Sequence, residues 1–380
     1  MKLLCSILSL LLLASVEPAI SSLGSFDKIF SFGDTFADTG NGRIMNAKNK
    51  VPFDPTAKLP YGQTYFGRPT GRSTDGRLII DFIAQKLGLP LVTPSLSENG
   101  NFSHGANFAI SAATALNVSF FKDIPIASML ALDTTMKVQL QLFESLKPSL
   151  CSPAEACPSG FFNSSLFFLG EFGVNDYSFS ILGMPLPQVY SIVPSVVGNI
   201  TEATKRLINH GAKTVVVPGI PPLGCTPPNL FFFPSTDPAS YEDDTGCLKS
   251  FNELAEHHNT LLRKDLEAIQ KNHSSVQVIY ADFFTPVIRM VKYPWKFGLT
   301  SDVLSCCCGG GGEYNFNITA GCGMPGATVC EDPSQYLYWD GHFTEAAHRI
   351  IAKRWLKKLK LHNEMIEAAY RYVNIAKDSA

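Results

Sequence analysis

The chain has 380 residues, of which 45% are hydrophobic and 11% aromatic, enough apolar material for a sizeable core. Its formal net charge is −2. With no basic block and no acidic tail, nucleic acid is excluded as a partner class, because phosphate binding needs clustered Lys and Arg.

Met1-Lys2 leads into Leu3 to Val16, which is almost free of polar groups, and small residues follow at Ala19 and Ser21. A positive start, an apolar run of about 14 residues and a small-x-small site predict a secretory signal peptide over residues 1–21. The run falls short of the roughly 20 residues that span a bilayer, so a retained anchor is the lesser alternative. Residues 22–380 then read as one domain with no further membrane-spanning stretch.

Four apolar, β-rich runs follow in order: Ile29 to Phe32, Leu166 to Leu169, Thr214 to Pro218 and Val276 to Tyr280. Each is apolar on both faces and soon meets Gly, Pro or Asp, as buried parallel strands do. Helical spacing lies between and after them. Arg77 to Leu87 puts Leu78, Phe82, Ile83 and Leu87 on one stripe, Ile192 to Ile208 repeats the pattern, and Phe251 to Ile269 is the longest. Thr344 is the expected N-cap of the last helix. The stretches 217–238 and 306–330 read as long loops. Strands alternating with helices predict an α/β fold with a parallel sheet and a site at the strands' carboxyl ends.

Cys5 departs with the leader, leaving nine of the ten cysteines, an odd number that requires one free thiol or an outside partner. Cys151–Cys157 and Cys225–Cys247 are natural local staples, and Cys306, Cys307, Cys308, Cys322 and Cys330 would staple another loop. Zinc is the competing reading of that last group, weakened by the lack of C-x-x-C pairs. Sequons stand at Asn101, Asn117, Asn163, Asn199, Asn272 and Asn317, and predict glycosylation and hence surface loops.

Four segments could carry chemistry. In Phe32 to Asn41, a strand ends at Gly33-Asp34 and then the hydroxyl residue Thr35, exposed as a nucleophile must be; the plainer reading makes Thr35 a helix N-cap. Gly105 to Ala115 is a run of small residues whose N–H groups could face an oxyanion or could merely serve tight helix packing. In Leu169 to Tyr177, Asn175 could donate to a developing oxyanion, a contact worth about 3–4 kcal/mol, or could form an Asx turn. In Tyr338 to Ala346, His342 precedes a helix with Asp340 two residues back, as a general base and its orienting carboxylate would. Of the other histidines, His257, His258, His273, His348 and His362 are expected on charged helix faces or polar ends, and His104 and His210 beside Gly turns.

In this order, the blocks resemble the GDSL (SGNH) esterase/lipase family, in its large secreted plant branch. Pro60-Tyr61-Gly62, Arg68 to Arg72, Ser73 to Phe82, Gly219 to Cys225, Cys307-Cys308-Gly309-Gly310 and Cys330 extend the resemblance over nearly the whole mature chain. It implies a flavodoxin-like α/β/α sandwich with a parallel sheet (the SGNH hydrolase fold). It also implies hydrolysis of carboxylic esters, or transfer of their acyl group to an alcohol, through an acyl-enzyme. By the same resemblance Thr35 maps to the nucleophile, Ala112 and Asn175 to the oxyanion hole, His342 to the base and Asp340 to its partner. No metal or organic cofactor is called for. The expected partner is a small-molecule or lipid ester, the expected state a monomer, and the expected address the cell exterior or wall space, with the vacuole as alternative.

Three departures from the family pattern bear on activity. Thr35 stands where Ser is usual, and its methyl restricts χ1 and crowds an incoming ester. Ala112 stands where Gly is usual. Asp340 and His342 are separated by Gly341 alone, where the family commonly has two intervening residues. Losing the orienting carboxylate can cost about 10⁴ in rate, so the placement of Asp340 is the open point. The alternative function is a catalytically impaired binding protein that keeps the cleft. The apolar Leu230 to Pro234 is either a greasy lip over the site or plain loop packing.

Overall fold

The computed structural model describes residues 26–124, 133–151 and 157–360. The expected signal peptide, and His362, lie outside the described residues. Five parallel strands form one sheet: β1 (Lys28–Phe32), β2 (Gly105–Asn107), β3 (Ser165–Leu169), β4 (Thr214–Pro218) and β5 (Gln277–Ala281). Their order is β2-β1-β3-β4-β5, that of the flavodoxin-like doubly wound fold. The register pairs Ile29 with both Gly105 and Leu166, and Val216 with Ile279.

The strands are apolar on both faces because both are covered. Phe30, Phe32, Phe167, Leu169, Val215 and Val217 face one core, shared with α3 (Met136–Leu150), α5 (Leu186–Asn209) and α7 (Lys249–Asn272). Ile29, Leu166, Phe168, Val216 and Ile279 face the other, shared with α2 (Ile79–Lys86), α8 (Phe284–Lys292) and α9, which runs from residue 345 through 360. Four sheet strands and helices α2, α5, α7 and α9 stand where the sequence puts them, and Thr344 Oγ1 caps α9 by accepting the Ala347 N–H at 3.2 Å. No described helix is long and apolar enough to cross a membrane.

Several elements differ from expectation. β2 lies in the run of small residues, which are not packed in a helix; three residues without a β-branched side chain leave no alternation to detect. The stretch 217–238 is not all loop, since Pro227 and Pro228 open the short α6 (Pro227–Phe232). Helices α1 (Asn41–Lys48) and α4 (Val174–Ile181) follow the ends of β1 and β3. His258 and His348 are fully buried rather than on charged faces. The 306–330 loop carries a small hairpin, β6 (Cys308–Gly309) with β7 (Thr328–Val329).

Disulfides join Cys151–Cys157, Cys225–Cys247, Cys307–Cys330 and Cys308–Cys322, and Cys306 is a buried free thiol. The pairings take the thiolates a zinc ion would need. Of the sequon asparagines, Asn101, Asn117, Asn163 and Asn272 are exposed. Asn317 is half-buried, and Asn199 lies inside α5 with Nδ2 donating to the Ala115 carbonyl at 2.9 Å.

Candidate active site

The carboxyl ends of β1, β2 and β3 flank the point where strand order reverses, and three of the candidate residues gather there. β1 ends at Phe32, and Gly33 turns the chain with φ +144°, a left-handed value suited to glycine. A Cβ there would stand 3.0 Å from the Gly170 carbonyl at the end of β3. Gln139 of α3 clamps the same residue: its Oε1 accepts the Gly33 N–H at 2.9 Å and its Nε2 donates to the Gly33 carbonyl at 2.7 Å. Thr35 thus sits half-exposed on a rigid turn and not at a helix start, since α1 begins only at Asn41.

Ala112 follows β2 on a loop held at both ends by buried carboxylates. Asp38 accepts the Ser111 N–H at 2.8 Å and its hydroxyl at 2.9 Å. Asp176 accepts the Ala115 and Leu116 N–H groups at 2.9 and 2.8 Å, and burial pushes its pKa up to about 7. Between these anchors Ala112 adopts φ +63°, and its N–H donates to Thr35 Oγ1 at 3.3 Å. The backbone donor expected of Ala112 is therefore aimed at the Thr35 oxygen.

Asn175 is in the first turn of α4 rather than in an Asx turn. Its Nδ2 donates to Asp34 Oδ2 at 2.7 Å and to the Ala113 carbonyl at 3.0 Å, so both amide hydrogens are engaged. Asp34 is buried, which raises its pKa to about 6, and it also accepts the Phe36 N–H at 3.0 Å. Glu171 is buried, and burial, then the Asp34 charge, hold its carboxyl well above the usual range.

His342 comes from the segment before α9. Glu345, at the start of that helix, is fixed by the Arg77 backbone and guanidinium, both at 2.7 Å, and gives its own N–H to Asp75 at 2.7 Å. The His342 ring meets Phe36 edge-on at 5.6 Å, which places it beside the Thr35 turn. The shortened spacing does not separate the pair: His342 Nδ1 lies 2.8 Å from Asp340 Oδ1, which also accepts the His342 N–H at 3.1 Å. Gly341 makes this closure possible, with φ +114° and a pro-Cβ position 3.0 Å from Pro228. Burial pulls the His342 pKa down, but the Asp340 charge and hydrogen bond outweigh it, so the net shift is above 6.5.

Leu230 is buried and Phe233 packs on Phe251 at 5.2 Å, whereas Phe231 and Phe232 meet Phe316 edge-on at 5.4 and 6.1 Å. Phe316 and Pro228 both border Gly341, so Phe231 and Phe232 reach toward the Gly341 turn through Phe316 while Leu230 and Phe233 serve core packing.

Sequence reasoning missed Gln139, Glu171 and Tyr61, whose O–H donates to Asp340 Oδ2. Asp38, Glu171 and Asp176 lie inside the candidate blocks and Tyr61 inside a family block; Gln139 carries no signal, because its partner Gly33 is 106 positions away.

The family model described as GDSL-like lipase/acylhydrolase matches residues 29–355. One GDSL esterase/lipase of Arabidopsis thaliana is 41% identical over 94% of this chain and 88% of its own length. Another from the same plant is 42% identical, covering 86% and 89%. A sinapine esterase of Brassica napus is 39% identical, covering 90% and 87%. The chain belongs to the GDSL-like lipase/acylhydrolase family, whose plant members here are esterases and lipases, and its general function is ester hydrolysis.

Proposed function

We propose that the chain is a secreted carboxylic ester hydrolase that works through an acyl-enzyme on Thr35. The carrying observation is the Thr35 hydroxyl 3.3 Å from the Ala112 N–H, on a turn whose Phe36 ring meets the imidazole of the closed Asp340–His342 pair. Neutral His342 takes the hydroxyl proton, and Oγ1 attacks the ester carbonyl. Asp340 holds the imidazole orientation and stabilises the imidazolium. The oxyanion draws on the Thr35 and Ala112 N–H groups and on Asn175, whose Nδ2 must exchange the Ala113 carbonyl for the substrate oxygen. His342 then protonates the leaving alcohol, and water, or an acceptor alcohol in a transfer reaction, releases the acyl group.

Phe316 beside Gly341, with Phe231 and Phe232 packed on it, supports an apolar or aromatic ester as substrate. The same reading takes residues 1–21 as a cleaved leader and 22–380 as one monomeric domain. Glycans are carried on the exposed sequons, and the destination is the cell exterior, with the vacuole as alternative.

Fluorophosphonate labelling tests the nucleophile. Label is expected on Thr35, lost in Thr35→Ala and faster in Thr35→Ser, with ester turnover in parallel. An unlabelled, inactive wild type that becomes active as Thr35→Ser would leave the impaired binding protein as the better account.

A further inference from the structure

The Asp340 carboxylate has two oxygens, and the Asp-Gly-His tripeptide uses one. Oδ1 faces His342 Nδ1 at 2.8 Å and accepts the His342 backbone N–H at 3.1 Å. Oδ2 accepts the Tyr61 O–H, from a residue 279 positions earlier in the chain. With both oxygens held, the carboxylate plane cannot turn about its Cβ–Cγ bond, and the imidazole is held with it.

Tyr61 is itself immobilised. It is 3% exposed, meets Trp339 edge-on at 6.2 Å, and packs among Cys307, Cys308 and Cys322. The Cys307 and Cys308 N–H groups donate to the Tyr338 and Trp339 carbonyls at 2.9 and 2.7 Å. The segment entering Asp340 is therefore tied to a loop closed by two disulfides, and Tyr61 is wedged against both. Burial, then the Asp340 charge, push the phenol well above its usual range, so it stays protonated and serves as a donor. The charged or titratable neighbours are Asp340, Cys306 and Asp54 around Tyr61, and Asp340, Asp34 and the buried His348 around His342.

We infer that Tyr61 is a positioning residue that fixes the Asp340 carboxylate, so that the shortened Asp340-Gly341-His342 segment still presents His342 as the base. This rests on the proposed role of His342.

The experiment is Tyr61→Phe in the full secreted protein, read by the pH profile of kcat/KM and by NMR titration of His342. Without the phenol, Asp340 leans its charge on the imidazolium alone. The His342 midpoint and the acid limb are expected to rise by about 0.5–1 unit. A freed carboxylate should also lower kcat about ten- to a hundredfold with little change in KM. A uniform loss of rate with no shift in either titration would make Tyr61 a packing residue and overturn the inference. If Tyr61→Phe does not fold, 3-fluorotyrosine placed at position 61 keeps the shape and strengthens the donor. It should move the His342 midpoint downward, and no movement overturns the inference. Should the wild type turn over no ester, the esterase reading falls, while the NMR titration still decides the role of Tyr61.

Discussion

The two halves of the site are built by opposite means. Thr35, Ala112 and Asn175 hang on the ends of three neighbouring strands, and their geometry is inherited from the sheet through Gln139, Asp38 and Asp176. Asp340 and His342 hang on no strand of the sheet; a disulfide-closed loop, Tyr61 and the Arg77–Glu345 ion pair hold them. Against the pattern the resemblance implies, each half departs in a way its support can absorb. The strand-end half changes single atoms, one methyl at Thr35 and one at Ala112, with the backbone path intact. The loop half shortens its chain by one residue, and a left-handed Gly341 restores the hydrogen bond. Position is held by rigidity in one half and by a turn in the other.

The largest expected effect breaks the loop half alone. Asp340→Asn should cost about 10⁴ in kcat with the fold intact, as the imidazole loses its orienting charge. Asp340 raises the His342 pKa above 6.5 against the pull of burial. In the proposed mechanism His342 acts when neutral, so wild-type activity should fall as pH drops through a midpoint above 6.5. In Asp340→Asn the NMR midpoint of His342 should move below the wild-type one. A loss under tenfold would mean that Asp340–His342 is a structural pair.

The strand-end half was legible in the sequence and the loop half only partly so, for a physical reason. Thr35 and Asn175 follow apolar runs that end abruptly, and β1 and β3 declare themselves because both faces are buried. β2 hides because Gly105, Ala106 and Asn107 carry no alternation. On the loop side, residue spacing says nothing about whether Asp340 reaches His342, since that depends on the dihedrals of Gly341. Tyr61 stands in Pro60-Tyr61-Gly62, yet its partner is far away in sequence. His258 lies four residues after Leu254 and four before Leu262, on the inward stripe of α7, which its charged neighbours in the sequence mask.

A smaller effect probes the scaffold of the loop half. His348 lies in α9 six residues after His342, fully buried, and neither ring nitrogen has a hydrogen-bond partner. Burial, and less so the His342 charge, lower its pKa to about 3. The unfolded chain binds a proton near 6.5, so the stability this neutral ring retains is full above pH 6.5 and is lost as pH falls toward 3. At about 1.4 kcal/mol per unit, the loss at pH 5 is about 2 kcal/mol. His348→Phe should remove it: the gain in denaturation free energy over wild type should be larger at pH 5 than at pH 7.5. The buried carboxylates Asp34 and Asp176, with raised pKa values, work in the opposite sense but are common to both proteins and cancel in the difference. A gain independent of pH would show that His348 is solvated or protonated in the native state.

The smallest effect sharpens the strand-end half. Ala112 is held at φ +63° by Asp38 on one side of the loop and Asp176 on the other, a conformation that costs an L-residue about 1–2 kcal/mol. Ala112→Gly relieves that cost and gives back part of it through the freer unfolded chain, for a net gain of about 1 kcal/mol. The same change removes a methyl next to the hydroxyl that Thr35 crowds with its own. The gain in kcat/KM from Thr35→Ser should therefore be larger in the Ala112→Gly background than alone, because both methyls border the same N–H···O contact. Equal gains in both backgrounds would mean that the two departures act on separate parts of the reaction. In that case the seat is rigid enough for each methyl to be felt only by the substrate.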